Sequence, residues 1–274
     1  MKQQLIKAGV YVYRSLPIGG SARRKLRAAV LTPFLRNRAP FVHEWRGSKV
    51  LLDPKQSMDM RLYFTGDYEP ETLAAIAKLA EPGSAAIDVG ANIGLISLWI
   101  SKCVGPTGKV IGVEPSNWAV ERLKHNAELS GADNIIVSNA AVADKPGEAD
   151  MTVINGYRVD DVNTVTPQHV KMVTIDGLVA EHGITRLSLL KVDTDGYEVD
   201  VFRGAEKTLA ELRPNLVFEL GPDHLKMAGS SVEVLIGLLA GHGYSFFTED
   251  FAPVDPLTYA VEAYGSVNLI GRPN

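Results

Sequence analysis

An α/β fold around a mostly parallel seven-stranded sheet, with helices on both faces, is what this sequence predicts. Three observations carry the prediction. From Ala85 onward, short apolar runs alternate with segments of helical spacing, the pattern of parallel strands joined by helical crossovers. Those runs end in acids and glycines, as at Asp88–Gly94, Gly112–Glu114, Asp193–Gly196 and Glu219–Gly221, where a chain turns sharply from strand to helix. The chain is 274 residues long, enough to bury a large core without staples.

The elements follow in order. Residues 1–38 read as short basic helices interrupted by Pro17-Ile18-Gly19-Gly20 and Pro33, with Ser21 placed to cap the second. Phe41–Asp53 reads as a hairpin turning at Arg46-Gly47-Ser48. Helices are expected over Gln56–Thr65 and Glu69–Ala80, the second opening near Pro70. Strands are expected at Ala85–Val89, Lys109–Val113, Asn134–Ser138, Leu187–Val192, Asn215–Leu220, Tyr244–Thr248 and Ser266–Ile270. Between them lie helices over Gly94–Cys103, Ser116–Ser130, Leu178–His182, Tyr197–Leu212 and Ser231–Ala240. A looser β region covers Ala149–Ile154 and Lys171–Ile175. The expected organisation is a basic helical arm over 1–40, a hairpin and helical lead-in over 41–80, and the α/β domain over 81–274.

Composition excludes several classes. Apolar residues are 46% and charged residues 22%, which rules out a disordered chain. The net charge of −4 hides an asymmetry. Residues 1–49 hold eleven Lys or Arg against the single acid Glu44, a net of +10, and the remainder carries −14. A body of that sign is not a uniformly basic nucleic-acid binder. The lone Cys103 excludes an intramolecular disulfide and a multi-cysteine metal site. Among Leu98, Trp99 and Ile100 it reads as a small buried hydrophobe. The longest apolar run, Val89–Ser101, falls short of the ~20 residues of a spanning helix. The N-terminus lacks a continuous apolar stretch before Arg14 and makes a poor signal peptide.

Open α/β sheets bind ligands beyond the carboxyl ends of their strands, and there the informative residues fall. Asp88-Val89-Gly90-Ala91-Asn92-Ile93-Gly94 opens a helix whose first N–H groups lack partners and suit a carboxylate. The dinucleotide fingerprint is not met, because Asn92 stands at its second glycine. Glu114, ahead of Pro115, ends the next strand where an acid accepts hydrogens from ribose hydroxyls and repels a 2′-phosphate. Asp193, Asp195 and Glu198 cluster at the following switch; Asp193 lies closest to the strand end, whereas Asp195 and Glu198 suit a helix start. Glu219 follows another buried run, with Asp223 and His224 just beyond.

These residues resemble the FkbM family of class I S-adenosylmethionine-dependent methyltransferases. The resemblance is carried by Asp88–Gly94 (DVGANIG), Glu114-Pro115, Asn139–Ala149 (NAAVADKPGEA), Val173–Leu178 (VTIDGL), Leu190–Ala205 (LKVDTDGYEVDVFRGA) and Phe218–Leu220 (FEL), with Gly66–Glu71 (GDYEPE) as lead-in. It covers about residues 57–250, with Asp195 where the family often has Glu, and the basic arm stands outside it. It implies a Rossmann-like methyltransferase domain with S-adenosylmethionine as cofactor. Asp88 and the backbone of Gly90, Ala91, Asn92 and Gly94 would hold the methionine end. Glu114, followed by Pro115, would bind the ribose, and Asn139 and Ala140 would flank the adenine. Asp193 would face the methionine amino group or the acceptor, and Tyr68 and Glu69 would close over the cofactor.

Methyl transfer to a hydroxyl is helped by a base, and Asp193, Glu219 and His224 are the candidates. Two or three carboxylates around a diol could instead hold a divalent metal through oxygen ligands, and spacing leaves both open. Amino-group methylation of bases commonly goes with Asn/Asp-Pro-Pro-aromatic at this switch; Asp193-Thr194-Asp195-Gly196-Tyr197 here favours O-methylation of a saccharide or small natural product. The rivals are an NAD-dependent oxidoreductase, against which Asn92 and the acidic switch count, and a non-catalytic domain binding the cofactor or a glycan. The expected partner is a small-molecule or saccharide acceptor, with no nucleic acid. The arm has three readings: a solvated helix face packed on the acidic body or another subunit; a device that draws a cytoplasmic enzyme to the anionic inner face of a membrane, helped by Leu5, Ile6, Val10, Leu26 and Val30; or, after these, a basic stretch for nucleic acid.

Overall fold

The computed structural model describes residues 39–156, 165–262 and 265–274. The arm expected over 1–40 lies outside them except for its last two residues. Two compact units emerge: one drawn from the chain up to Glu69 with Ile154–Thr166, the other from Pro70–Val153 with Pro167–Asn274.

In the first unit, β1 (Phe41–Trp45) and β2 (Ser48–Leu52) form an antiparallel hairpin in which Trp45 faces Ser48. The turn is Arg46-Gly47, with φ of 48° and 74°, so it has the left-handed pair of a two-residue hairpin. Ser48, expected in the turn, belongs to the strand. Helix α1 (Ser57–Thr65) ends at Gly66, whose φ of 83° lets its N–H return to the Leu62 carbonyl. Tyr63 meets Phe41, His43 and Phe64 edge-on. The Arg46 guanidinium grips Asp67 through bonds of 2.9 and 2.6 Å and holds that carboxyl below its ordinary range.

The second unit begins with α2 (Pro70–Leu79), β3 (Ala85–Val89), α3 (Leu95–Val104), β4 (Lys109–Val113), α4 (Asn117–Ser130) and β5 (Ile135–Ser138). A three-stranded sheet of β6 (Ala141–Val142), β7 (Gly147–Ile154) and β8 (Val165–Val173) follows, in the order β6-β8-β7. It is the expected looser β region, but Ile175 starts α5 (Ile175–Glu181), whose N-terminus Thr174 caps through a bond from Gly177 N–H. Then come β9 (Leu187–Val192), α6 (Glu198–Arg203), α7 (Glu206–Glu211), β10 (Asn215–Leu220), α8 (Pro222–Met227), α9 (Val232–Gly241), β11 (Tyr244–Phe247), α10 (Pro256–Glu262) and β12 (Val267–Pro273).

Two departures from the sequence reading have physical causes. The helix expected over Tyr197–Leu212 is split into α6 and α7. Asp176 takes over the hydrogen bonding at the break. Its N–H occupies the Gly204 carbonyl at 2.9 Å, and its carboxylate accepts from Lys207 N–H, Thr208 N–H and Thr208 Oγ1. Gly204 also lies so close to the Ala143 carbonyl that a Cβ would stand 2.2 Å from it. Helix α8, absent from the helices expected from sequence, is opened by Pro222, whose missing N–H costs nothing in a first turn.

The main sheet has seven strands in the order β11-β12-β10-β9-β3-β4-β5. Strands β10, β9, β3, β4 and β5 are parallel, and β12 and β11 add antiparallel. The chain moves outward through β3, β4 and β5, then restarts at β9 on the other side of β3. Right-handed crossovers in opposite directions send their helices to opposite faces. The switch point, where such sheets open a crevice, therefore lies between β3 and β9. Every residue of both strands is buried, and the core includes Ile87, Val89, Ile111, Leu190, Val192, Phe202 and Phe218. Among the described residues, no helix is long and apolar enough to cross a membrane.

Candidate active site

At the carboxyl end of β3 the chain turns through Gly90 and Asn92, with φ of 73° and 49°, to Gly94 at 88°. The N–H groups of Gly90 and Ala91 donate to the Val113 carbonyl at 3.0 and 3.1 Å, anchoring the loop to β4. Gly90 is required by proximity as well as by φ: a Cβ there would stand 1.9 Å from the Asp193 carbonyl oxygen. Helix α3 then starts without a side-chain cap, so its first N–H groups remain available to a ligand.

Asp88 is fully buried beneath this loop. One carboxylate oxygen accepts from Ser97 Oγ at 2.6 Å, and the other lies 3.3 Å from the Lys191 ammonium. The residue expected to touch the methionine end is therefore enclosed under the loop that would do so. Glu114 ends β4 and ties two elements together: Oε2 accepts from Asn92 N–H and Oε1 from Ser116 N–H, both at 2.9 Å. Each oxygen keeps a second lone pair for a hydroxyl donor. Burial pushes the Glu114 carboxyl up; its two backbone hydrogen bonds and the Lys191 charge offset this in part. Pro115 follows. Asn139 is exposed, and its amide donates to the carbonyls of Glu114 and Pro115 at 3.1 and 3.2 Å; Ala140 beside it is buried.

Beyond β9, Asp193 N–H donates to the Val89 carbonyl at 3.2 Å, and its carboxylate, one-third exposed, lies 3.4 Å from Lys191 Nζ. The next turn is shaped by Glu198, whose Oε1 accepts from Thr194 N–H, Thr194 Oγ1 and Gly196 N–H. That turn puts Asp195 at a φ of 50° and presses Gly196 on the His224 carbonyl, 2.3 Å from where a Cβ would be. His224, from α8, directs Nδ1 at Glu219 (3.5 Å), Asp195 (3.9 Å) and Ser266 Oγ (3.5 Å). Burial and the neighbouring Asp193 charge push the Glu219 carboxyl up to about 6.

The structure thus brings Asp88, Gly90, Ala91, Asn92, Gly94, Glu114, Pro115, Asn139 and Ala140 to the ends of β3, β4 and β5. It brings Asp193, Glu219 and His224 to the ends of β9 and β10. Tyr68 and Glu69 belong to the first unit, where Tyr68 N–H donates to Asp67. Cys103 is half-buried, and burial raises its thiol. Among the described residues, Asp195, Glu219 and His224 are the group whose donor atoms all lie within 4.8 Å of one another. That spacing serves a hydrogen-bonded imidazole as well as a cation.

Two participants escape the sequence reading. Lys191 interrupts the otherwise apolar or small-residue run Leu187–Val192, and a lysine inside a central strand is a legible sign of a paired charge. Ser266 reaches His224 from near the chain's end, and nothing local marks it.

The methyltransferase FkbM domain matches residues 88–246, more than half of the chain. The AMB antimetabolite synthetase AmbE of Pseudomonas aeruginosa is 24% identical over 204 residues, covering 60% of this chain and 10% of that protein. The chain therefore spans only a small part of that relative. The 31-O-demethyl-FK506 methyltransferase FkbM of Streptomyces tacrolimicus is 26% identical over 220 residues, covering 67% of this chain and 79% of that protein. Among solved structures, a methyltransferase FkbM from Methylobacillus flagellatus aligns with a TM-score of 0.44 at 15% identity, covering 94% of this chain and 62% of that one.

Proposed function

The chain belongs to the FkbM methyltransferase family, and from that premise we propose that it transfers the methyl group of S-adenosylmethionine to a hydroxyl of a saccharide or small natural product. The observation that carries the O-methyl reading is the imidazole of His224 held by Glu219 and Asp195 at the strand ends next to Asp193.

The residues at the switch point fit the cofactor. Gly90 adds no side chain of its own where the loop meets the Asp193 backbone, and the uncapped start of α3 offers N–H groups to the methionine carboxylate. Asp193, one-third exposed beside the Gly90 loop, offers a carboxylate to the methionine ammonium. Glu114 has lone pairs left for the ribose hydroxyls, and Asn139 and Ala140, beyond β5 and next to Glu114, are assigned to flank the adenine. When bound, the cofactor supplies a methyl group already activated on a sulfonium.

The protein's remaining tasks are placement and one proton. Holding a nucleophile in line supplies much of the acceleration in such a transfer. With Nδ1–H donating to the Glu219 carboxylate, His224 presents Nε2 as the basic nitrogen for the acceptor hydroxyl. At neutral pH Glu219, near 6, is an anion and can orient the ring.

Parallel calorimetric titrations with S-adenosylhomocysteine and NAD test the cofactor, and binding of NAD alone would restore the oxidoreductase reading. Turnover is then sought with panels of hydroxyl and amine acceptors, following release of S-adenosylhomocysteine. His224→Ala is expected to keep cofactor affinity and lose most turnover on hydroxyls. Preference for amines would reject the O-methyl assignment, and cofactor binding with no turnover on either panel would favour a binding domain. For the basic arm we propose contact with an anionic membrane face or a second subunit; equal pelleting with vesicles when residues 1–38 are removed would dismiss the membrane.

A further inference from the structure

We propose that Lys191 is a positioning residue for the methionine end of the cofactor, holding the Gly90 loop and the Asp193 carboxylate in place; the proposal rests on the reading of this site as an S-adenosylmethionine site.

The lysine sits where burial is hardest to justify for a charge. Strand β9 is central in the sheet, all six of its residues are buried, and the Lys191 side chain is 5% exposed. An ammonium taken out of water must be compensated by nearby anions and hydrogen-bond acceptors. Here the compensation comes from the site itself. Nζ lies 3.3 Å from Asp88 Oδ1 and 3.4 Å from Asp193 Oδ2. It also donates to the carbonyls of Val89 and Gly90, at 3.4 and 3.3 Å.

These partners span the switch point. Asp88 is the ladder partner of Lys191 on β3, and Asp193, two residues along, falls on the same side of an extended chain. Val89 and Gly90 begin the loop. One ammonium therefore links the last residues of β3, the first residue of the loop and the carboxylate beyond β9. Remove its charge and two effects follow. Asp88 and Asp193 lose the cation between them, with Glu114 and Asp195 also within its field. The Gly90 carbonyl loses its tie to β9 at a place where the loop backbone leaves no room for a Cβ beside the Asp193 carbonyl. Both disturb the groups assigned to the amino-acid end. The groups assigned to the nucleoside end have supports of their own: Glu114 is held by Asn92 and Ser116, and Asn139 by the Glu114 and Pro115 carbonyls.

That asymmetry gives a readout which a merely structural role would not move. 5′-Methylthioadenosine shares the nucleoside and thioether of S-adenosylhomocysteine but lacks the amino-acid end. Both ligands are titrated into the full chain and into Lys191→Gln. Affinity for S-adenosylhomocysteine is expected to fall by at least about tenfold, while that for 5′-methylthioadenosine stays within about threefold, so the ratio of the two collapses. Equal losses on both ligands, or no loss on either, would overturn the proposal. If Lys191→Gln does not fold because Asp88 is left uncompensated, the same ratio is read in Lys191→Gln/Asp88→Asn against Asp88→Asn alone. A further drop in the ratio supports the positioning role, and an unchanged ratio overturns it. Failure of the unaltered chain to bind either ligand is a different result: it removes the cofactor reading itself, and this inference with it.

Discussion

The two ends of strands β3 and β9 are built from opposite chemistry. At their amino ends the polar groups are nearly all neutral and paired. Ser84 Oγ and Ser188 Oγ share a hydrogen bond, Glu81 N–H donates to Ser188 Oγ at 3.1 Å, and Asn215 donates to the Ser188 carbonyl at 3.2 Å. The charges there, Arg186 and Glu81, pair at the surface. At the carboxyl ends Asp88, Glu114, Asp193 and Asp195 lie within the field of the buried Lys191 ammonium, and Glu219 feels the charges of Asp193 and Asp195. The amino ends are arranged to satisfy groups. At the carboxyl ends burial, with neighbouring acids, raises the proton affinity of Glu114, Asp195 and Glu219, an arrangement that marks functional sites more often than structural ones. The same strands thus satisfy neutral groups at one end and gather the charges of the candidate site at the other.

Substitutions can break or sharpen that contrast. The largest effect is expected for Gly90→Ala, whose new Cβ would collide with the Asp193 backbone at a φ natural only to glycine. S-adenosylhomocysteine affinity, read by calorimetry, should drop by about two orders of magnitude, with a stability loss of ~1–3 kcal/mol. Near-normal affinity would show that the loop can move aside. Glu114→Ala comes next. Calorimetry should show a loss of roughly tenfold to a hundredfold, and the melting temperature should fall as well, because the Asn92 and Ser116 N–H groups lose their acceptor.

A smaller effect concerns pH. The folded-state value of Glu219 is about 6, above the ordinary 4.5, so the native state holds a proton that the unfolded state has released. Its contribution to stability is therefore greatest below 4.5 and is lost as pH rises through about 6. Denaturant midpoints measured across that window should decline in the unaltered chain more than in Glu219→Gln; parallel profiles would remove Glu219 from the charged cluster. The smallest effect on binding belongs to the other end. Ser188→Ala should cost ~1–2 kcal/mol of stability through its lost hydrogen bonds, with S-adenosylhomocysteine affinity unchanged. A change in affinity there would blur the division between the two ends.

Much of this was legible from local pattern. Seven apolar runs became the seven strands, within a few residues at each end. The acids and glycines expected at their carboxyl ends stand at those strand ends and form the candidate site, because turn chemistry and strand periodicity operate over a handful of neighbours. The break between α6 and α7 was not legible, since its cause is Asp176, distant in the chain. Helix α8 was missed because Pro222-Asp223 reads equally as a turn or a helix start.

The sequence by itself therefore determined the α/β architecture, the sheet edge that carries the candidate site, and the family, all of which rest on short-range order and motif. Only the tertiary structure decided what the acids do. Asp88 faces inward to Ser97 and Lys191, Glu114 ties the loop to α4, Glu198 shapes the Asp195 turn, and Glu219 and Ser266 meet His224. The reason is physical: a charge acquires its role from the partners and the burial that the fold imposes, and here those partners arrive from strands far apart in the chain.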